Sequence, residues 1–240
     1  MQIIKLNAID STNQYLHDLV AELALEDFAT VTASYQTHGR GQRATTWQSE
    51  KGKNLIISVL KNEINLNTQH QFLINIVVSL AVFATLKTLQ IPKLSIKWPN
   101  DILSHDKKIA GILIELILKK NTIDKAIIGI GLNTNQLNFK DLPRASSLKS
   151  ITGVHYDLDE LLHKFLENLK HYFSIEDLDQ LWATYENVLF RKDKPSTFVD
   201  RKGVSFSGII KGVSQQGKLI IKTEEKSIQE FDLKAIQLMY

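Results

Sequence analysis

The chain has 240 residues, of which 43% are hydrophobic and 23% charged, so it has enough apolar material for one large domain plus a small appendage and is not disordered. Its 29 Lys and Arg residues against 26 Asp and Glu give a formal charge of +3, too small to indicate nucleic-acid binding. The absence of Cys excludes disulfides, thiolate nucleophiles and Cys-ligated metal sites.

The N-terminal residues contain no apolar run of secretory length and no Arg-rich transit pattern, so we expect a cytoplasmic protein. The most apolar segment, Phe72 to Leu89, is interrupted by polar residues such as Asn75 and Lys87. This pattern favours a buried helix over a membrane span. We therefore expect no membrane partner.

The beginning of the chain alternates between strand and helix patterns. Apolar residues recur at helical spacing from Tyr15 to Leu23, and Ser11 or Thr12 is available as the N-cap of this helix. Strands are predicted at residues 3–6, 30–35 and 55–60, and a polar loop containing glycine joins the last two, from His38 to Lys53.

Three runs rich in Ile, Leu and Val follow the buried helix and are predicted to be central strands: Leu94 to Trp98, Ile109 to Leu118 and Ala126 to Ile130. The turn Pro99-Asn100-Asp101 and the polar stretch Ser104 to Lys107 favour hairpin connections, which predicts a mixed sheet. Helices are predicted at residues 157–173 and 175–189. An α+β class follows.

From about Arg191 the pattern changes to short strands, predicted at residues 204–210, 218–223 and 228–232. The sequence therefore predicts two domains, residues 1–190 and a small β-barrel module at 191–240. Lys192 to Pro195 is the predicted linker.

The loop from Gly39 to Trp47 combines two glycines, two arginines and an aromatic residue between two strands. Glycines let backbone N–H groups approach a phosphate, and Arg supplies a planar fork of donors, so the loop can surround an anion. It lacks the Walker pattern, and by itself a Gly/Arg loop is more often a solvated turn.

Three further segments are weak signals individually. The run from Lys97 to Asp101 is typical of a turn, and the lysines before Gly111 are typical of charges that protect a strand edge. The run from Gly129 to Asn133 is typical of a glycine-rich strand end, because it lacks the third glycine of a dinucleotide-binding fingerprint.

Five segments, taken together, resemble the catalytic domain of biotin–protein ligases in their order and spacing. They are Asp10-Ser11-Thr12-Asn13, GRGQRATTW, KWPND, KKIAGILIE and GIGLN. The resemblance covers about Ile3 to Leu189. It implies a mixed sheet with flanking helices, of the kind shared with class II synthetases, and a C-terminal barrel of the Src-homology-three type. The form it resembles is the monofunctional one, without the N-terminal DNA-binding domain.

The resemblance implies that ATP activates biotin to biotinyl-5′-AMP, with Mg²⁺, and that biotin is then transferred to a lysine of a biotin carboxyl carrier protein domain of a biotin-dependent carboxylase. The principal catalytic residues implied are Lys108 and Arg40. The implied biotin-binding positions are Ser11, Thr12, Asn13, Gln36, Gly39, Arg40, Gly41, Gln42, Lys108, Gly111, Leu113, Gly129 and Gly131. The implied ATP-binding positions are Arg40, Arg43, Trp47, Lys97, Asn100, Asp101, Lys108 and Asn133, with Asp101 also associated with Mg²⁺.

The chain departs from the family pattern in the glycine loop. Gln42, Ala44 and Thr45 stand where Arg, Gly and Arg are common, so two cations are missing. A GRGQ form also occurs in the family, and we interpret the difference as variation that bears on retention of the adenylate.

Three alternatives to a biotin ligase stay open. The first is a lipoate or octanoate ligase on a related fold, and the second is an inactive biotin-binding module. The third is a biotin-responsive transcriptional regulator, which in relatives carries a helix-turn-helix before the catalytic domain. Since no residues precede that domain here, we expect no DNA binding. A homodimer is compatible with the sequence.

Overall fold

The computed structural model describes residues 2–42, 45–140, 142–233 and 235–240. Within these residues the larger sheet has eight strands: β1 (Ile3–Leu6), β2 (Thr30–Ala33), β3 (Leu55–Lys61), β4 (Leu66–Asn67), β5 (Leu94–Lys97), β6 (Asp101–Ser104), β7 (Lys107–Lys119) and β8 (Thr122–Leu132). Their order is β1-β2-β3-β8-β7-β6-β5, with β4 paired to β8. The β1–β2 pair is parallel and β2–β3, β3–β8 and β7–β8 are antiparallel, which confirms a mixed sheet.

Five α-helices accompany the sheet in the described part of the chain: α1 (Thr12–Glu22), α2 (Phe72–Thr88), α3 (Leu148–Thr152), α4 (Leu158–Phe173) and α5 (Leu178–Asn187). The predicted α+β class is confirmed. The sequence patterns did not predict α3 and assigned part of β6 to a turn. Both elements are too short for their apolar residues to repeat at helical or strand spacing.

Helix α1 lies on one face of the sheet and α2 on the other. Val59 packs in the core beneath α2, whereas the next residue, Leu60, packs with Leu16 of α1. Alternate residues of a strand point to opposite faces, so adjacent positions contact different helices. Ser11 begins α1 as its N-cap, with Oγ accepting a hydrogen bond from the backbone N–H of Gln14.

Helix α2 carries apolar residues around most of its circumference because it packs against α4, α5 and strands β5 and β6. The stretch Thr68–Thr88 has the length and hydropathy of a membrane span, and 61% of its apolar 18-residue window is buried within the fold. Its packing accounts for its apolar sequence, as in the core helix of a folded domain.

The C-terminal residues form a five-stranded antiparallel sheet: β9 (Pro195–Asp200), β10 (Ser205–Val213), β11 (Leu219–Thr223), β12 (Ile228–Phe231) and β13 (Ile236–Met239). The sequence predicted only the three middle strands. Pro195 already belongs to β9, so the last residue of the predicted linker is part of the first strand of this sheet. The small sheet contacts the rest of the chain through the Trp98 indole, whose Nε1 donates to the carbonyl of Gly217 at 2.9 Å.

Candidate active site

A cavity of about 580 Å³ opens on the α1 face of the larger sheet, against the C-terminal sheet. Most of the residues singled out in the sequence line it: Ser11, Thr12, Asn13, Gln36, Arg40, Gly41, Gln42, Trp47, Lys97, Asn100, Asp101, Lys108, Gly111, Leu113, Gly129 and Gly131. Segments far apart in the chain therefore meet at one place. Arg43 lies outside the described residues.

Gly39 and Asn133 take structural positions beside this cavity and are not among its described lining residues. Asn133 is buried, and its Nδ2 donates to the carbonyl of Ser146 at 3.0 Å. This bond ties the segment before α3 to the end of β8. A Cβ on Gly39 would lie 2.3 Å from the carbonyl oxygen of Trp47, so glycine permits the loop to double back on itself.

One end of the cavity is polar and uncharged. Ser11, Thr12 and Asn13, at the start of α1, are each only 3% exposed. The backbone N–H of Thr12 donates to Oε1 of Gln36 at 2.8 Å, which fixes the orientation of the Gln36 amide. This end of the cavity therefore presents hydroxyl and amide groups that could hydrogen-bond a polar ring.

The floor of the cavity is a pair of glycines facing each other across β7 and β8, Gly111 and Gly131. The Trp47 indole lies on them. A Cβ on Gly131 would lie 2.3 Å from Trp47 Cε2, and one on Gly111 would lie 3.0 Å from Cζ3. Glycine at both positions is what allows the loop containing Trp47 to reach the sheet. The buried Trp47 Nε1 has no hydrogen-bond partner among the described residues.

The other end of the cavity is charged. The Lys108 ammonium lies 2.6 Å from Asp101 Oδ1, and the Lys97 ammonium lies 3.6 Å from Asp101 Oδ2. Lys108 Nζ also lies 5.5 Å from the centroid of the Trp47 ring. Two ammonium groups around one carboxylate leave net positive charge, which favours an anionic ligand.

Arg40 lines the same cavity and is exposed. Its guanidinium donates to Oε1 of Gln14 on α1 at 3.0 Å. The two predicted catalytic cations, Arg40 and Lys108, thus approach the cavity from separate elements, the glycine loop and β7.

Arg144 and Tyr240 were missed in the sequence. The Tyr240 ring lies 4.2 Å from the Arg144 guanidinium carbon, 5.5 Å from Lys97 Nζ and 5.0 Å from the Phe190 ring. Burial raises the pKa of the Tyr240 phenol, partly offset by a hydrogen bond with Arg144. Neither residue belongs to a recognisable motif, so no local signal identifies them.

At the charged end a divalent cation would find the carboxylate of Asp101. No cluster of three or more His, Asp or Glu residues suited to a metal occurs in the described ranges. Mg²⁺ bound with a nucleotide needs only one or two protein carboxylates, because phosphate oxygens and water complete its shell. Asp101 therefore fits a cation that enters with phosphate.

Comparison with known families places residues 6–133 in the Biotin/lipoate A/B protein ligase family. The bifunctional ligase/repressor BirA of Escherichia coli is 29% identical over 227 residues, covering 91% of this chain and 68% of BirA. A biotin–[acetyl-CoA-carboxylase] ligase of Mycobacterium tuberculosis is 29% identical over 163 residues, or 67% of this chain and 59% of that protein.

Solved structures give the same result. The biotin protein ligase of Aquifex aeolicus in complex with biotin and ATP superposes with a TM-score of 0.80 at 29% identity, covering 99% of this chain and 98% of that one. The biotin protein ligase of Leishmania major in complex with biotin has the same fold, with a TM-score of 0.66 at 20% identity over 97% and 98% of the two chains. The family match spans more than half of the sequence, and the chain belongs to the biotin/lipoate A/B protein ligase family.

Proposed function

We propose that the chain is an ATP-dependent biotin–protein ligase that makes biotinyl-5′-AMP and then transfers biotin to a lysine of an acceptor protein. The observation that carries this is the polarity of the cavity. A neutral hydrogen-bonding end and a cationic end face one continuous space. Biotin has the matching form, with a neutral ureido ring at one end and a carboxylate at the other.

The ureido ring would bind at the polar end, near Ser11, Thr12 and Gln36. Burying a polar ring without hydrogen bonds is costly, and this end supplies hydroxyl and amide partners. Gly129 and Gly131 let the Asn13 amide and the Trp47 indole lie close against β8, and these two side chains would border the bound ring.

Adenylation joins two anions, the biotin carboxylate and the α-phosphate of ATP. A carboxylate oxygen attacks the α-phosphorus, and pyrophosphate leaves with the electrons of the broken P–O bond. Lys108 and Arg40 would stabilise the negative charge that develops there. Preorganised charges of this kind commonly contribute about 10²–10³ in rate each.

Mg²⁺ would be held by the Asp101 carboxylate together with the ATP phosphates, and when bound it supplies further neutralisation of phosphate charge. Asp101 itself holds the ammonium groups of Lys97 and Lys108 near the place where phosphate would bind. It therefore orients the protein's cations as well as offering oxygen to a metal.

In the second step, a neutral lysine amine of the acceptor attacks the activated carbonyl, and AMP leaves. This step needs no nucleophile from the enzyme, which agrees with a chain that has no Cys. The Trp47 loop would cover the adenylate and exclude water from it. Because Gln42 and Thr45 stand where arginines are common in the family, this loop carries less positive charge than the common form.

We further propose that the acceptor is the biotin carboxyl carrier domain of a carboxylase and that the reaction takes place in the cytoplasm. The names of the relatives from Mycobacterium tuberculosis and Paracoccus denitrificans, biotin–[acetyl-CoA-carboxylase] ligases, support this acceptor. We also propose that residues 1–190 form the catalytic domain and residues 191–240 a barrel of the Src-homology-three type, for which the five antiparallel strands are the supporting observation.

The test is one incubation of the protein with biotin, ATP and Mg²⁺, followed by mass spectrometry. We expect biotinyl-AMP, release of pyrophosphate and, when a carrier domain is added, a mass increase on one of its lysines. Lipoate and octanoate are run in parallel. Adenylation of lipoate but not biotin would replace the proposal with the lipoate-ligase alternative, and binding of biotin without pyrophosphate release would leave a binding module.

BirA relatives are named bifunctional ligase/repressors, so DNA binding is measured separately. We expect no gel shift at physiological salt with biotin and ATP present. A shift that strengthens when both ligands are added would support the regulator alternative.

A further inference from the structure

A chain of hydrogen-bonded side chains lies behind the polar end of the cavity. It begins at Glu115 on β7, passes through Asn13 on α1 and Ser58 on β3, and ends at Thr12 and Gln36. Thr12, Asn13 and Gln36 line the cavity. Glu115 and Ser58 lie behind them, and the proposed mechanism does not use either.

Glu115 fixes which way the Asn13 amide points. Asn13 Nδ2 lies 2.8 Å from Glu115 Oε2, and an ionised carboxylate only accepts hydrogen bonds. The amide nitrogen must therefore face Glu115, and the amide oxygen must face Ser58. A Cβ on Gly129 would lie 2.3 Å from this oxygen, so glycine there lets the amide pack against β8.

Ser58 is fully buried and has one hydroxyl proton for two neighbouring oxygens. Asn13 Oδ1 lies 2.5 Å away and Thr12 Oγ1 lies 2.8 Å away. The amide oxygen has no proton, so the shorter contact requires that of Ser58. The Thr12 hydroxyl donates to Gln36 Oε1, at 3.1 Å.

This assignment leaves an acceptor at the cavity. Thr12 has used its proton on Gln36 Oε1, which also accepts from the backbone N–H of Thr12. Thr12 Oγ1 therefore keeps a lone pair but has no free proton. A ligand N–H placed beside Thr12 would donate to that oxygen.

We propose that Glu115 and Ser58 are positioning residues that make the polar end of the cavity an acceptor, so that it selects a ligand ring carrying an N–H group. The inference rests on the proposed function, in which the ring is the cyclic urea of biotin. A ring of the same shape that presents an oxygen in place of that N–H would face the Thr12 oxygen without a proton between them and be rejected.

The first test uses variants of residues that do not line the cavity. Ser58→Ala and Glu115→Ala are expected to raise the KM for biotin about tenfold, with kcat and the KM for ATP changed by less than about twofold, because one oriented hydrogen bond is lost at the biotin end. Glu115→Gln, which retains an acceptor oxygen, is expected to recover most of the affinity. Ser79→Ala is the matched control, since Ser79 is equally buried and donates to Asn75 Oδ1 inside α2.

The second test replaces each ureido N–H of biotin in turn by oxygen, giving the two cyclic carbamate isomers. Wild-type protein is expected to bind one isomer at least about tenfold more weakly than biotin. In Ser58→Ala the Thr12 hydroxyl loses its contact with Ser58 and turns more easily, and the preference is expected to fall by about threefold or more.

The outcomes separate the two proposals. If wild-type protein forms no biotinyl-AMP, the proposed function fails. If wild-type protein does form biotinyl-AMP, two results would still show that the positioning role is wrong while the function stands. One is that Ser58→Ala and Glu115→Ala bind biotin like the Ser79→Ala control. The other is that wild type binds both carbamates as tightly as biotin. A Glu115→Gln variant as impaired as Glu115→Ala also overturns the role.

Discussion

The ammonium of Lys108 lies 2.6 Å from the carboxylate of Asp101, on the neighbouring strand. Asp101 is opposite Gly111 in the register of β6 and β7, and an irregularity after Ile102 shifts the pairing so that Lys108 is opposite Leu103. Since Gly111 has no side chain, the carboxylate and the ammonium can meet above it. A Cβ there would lie 3.2 Å from Lys108 Nζ.

Lys108→Ala is expected to reduce biotin-dependent pyrophosphate release by about 10²–10³, because it removes a preorganised charge at the site of phosphate transfer. Lys107→Ala is the control, since Lys107 is the preceding residue and donates to the carbonyl of Pro143. A Lys108→Ala rate within about threefold of wild type would show that this lysine does not act on the reacting phosphate.

Tyr240→Ala is expected to raise the KM for ATP by about three- to tenfold and to leave the KM for biotin unchanged. The Tyr240 ring contacts the cations of Arg144 and Lys97, and such contacts contribute about 0.5–2 kcal/mol. Tyr240→Phe, which retains the ring, should behave like wild type in steady-state assays. Equal loss in the Phe and Ala variants would assign the effect to the hydroxyl group.

The N-cap of α4 should make stability depend on pH in the acid range. Asp157 accepts from the backbone N–H groups of Glu160 and Asp159, and these bonds, that of Glu160 foremost, lower its pKa below 3.8. A lowered pKa in the folded state contributes stability above the unfolded value, and this is lost as the pH falls through the folded value. Asp157→Asn should therefore flatten the decline of Tm with falling pH below about 4.

Melting curves of wild type and Asp157→Asn from neutral pH to about pH 2.5 test this. Parallel curves would show that the Asp157 carboxylate does not contribute to the acid transition. Asp157→Ala, which removes the cap, should lower Tm by a few degrees at neutral pH.

Tyr185→Phe is expected to stabilise the fold. Tyr185 is fully buried, and its hydroxyl has no hydrogen-bond partner among the described residues. Leaving a buried polar group unpaired costs about 1–3 kcal/mol, so removal of the hydroxyl should raise the free energy of unfolding by up to that amount. Urea denaturation measures it. A destabilised Phe variant would mean that the hydroxyl is paired, for example through a buried water.

Local patterns in the sequence predicted most of the secondary structure. Helical spacing identified α1, α2, α4 and α5, and runs of branched apolar residues identified β7 and β8, because the environment of such residues repeats with the period of the element. The sequence offered Ser11 or Thr12 as the cap, since a cap depends on the next three residues, and the structure shows that it is Ser11. The motifs that carry the family resemblance also identified most of the residues that line the cavity.

The tertiary structure decided which of those residues meet and how they are oriented. Asn13 and Glu115 are 102 positions apart in the chain, and their contact depends on how α1 packs across β7 and β8. The contact of Tyr240 with Arg144 likewise depends on how the C-terminal sheet packs. A sequence motif specifies which groups are present, but the direction of a hydrogen bond and the partner of a charge are set by neighbours that only packing brings within reach.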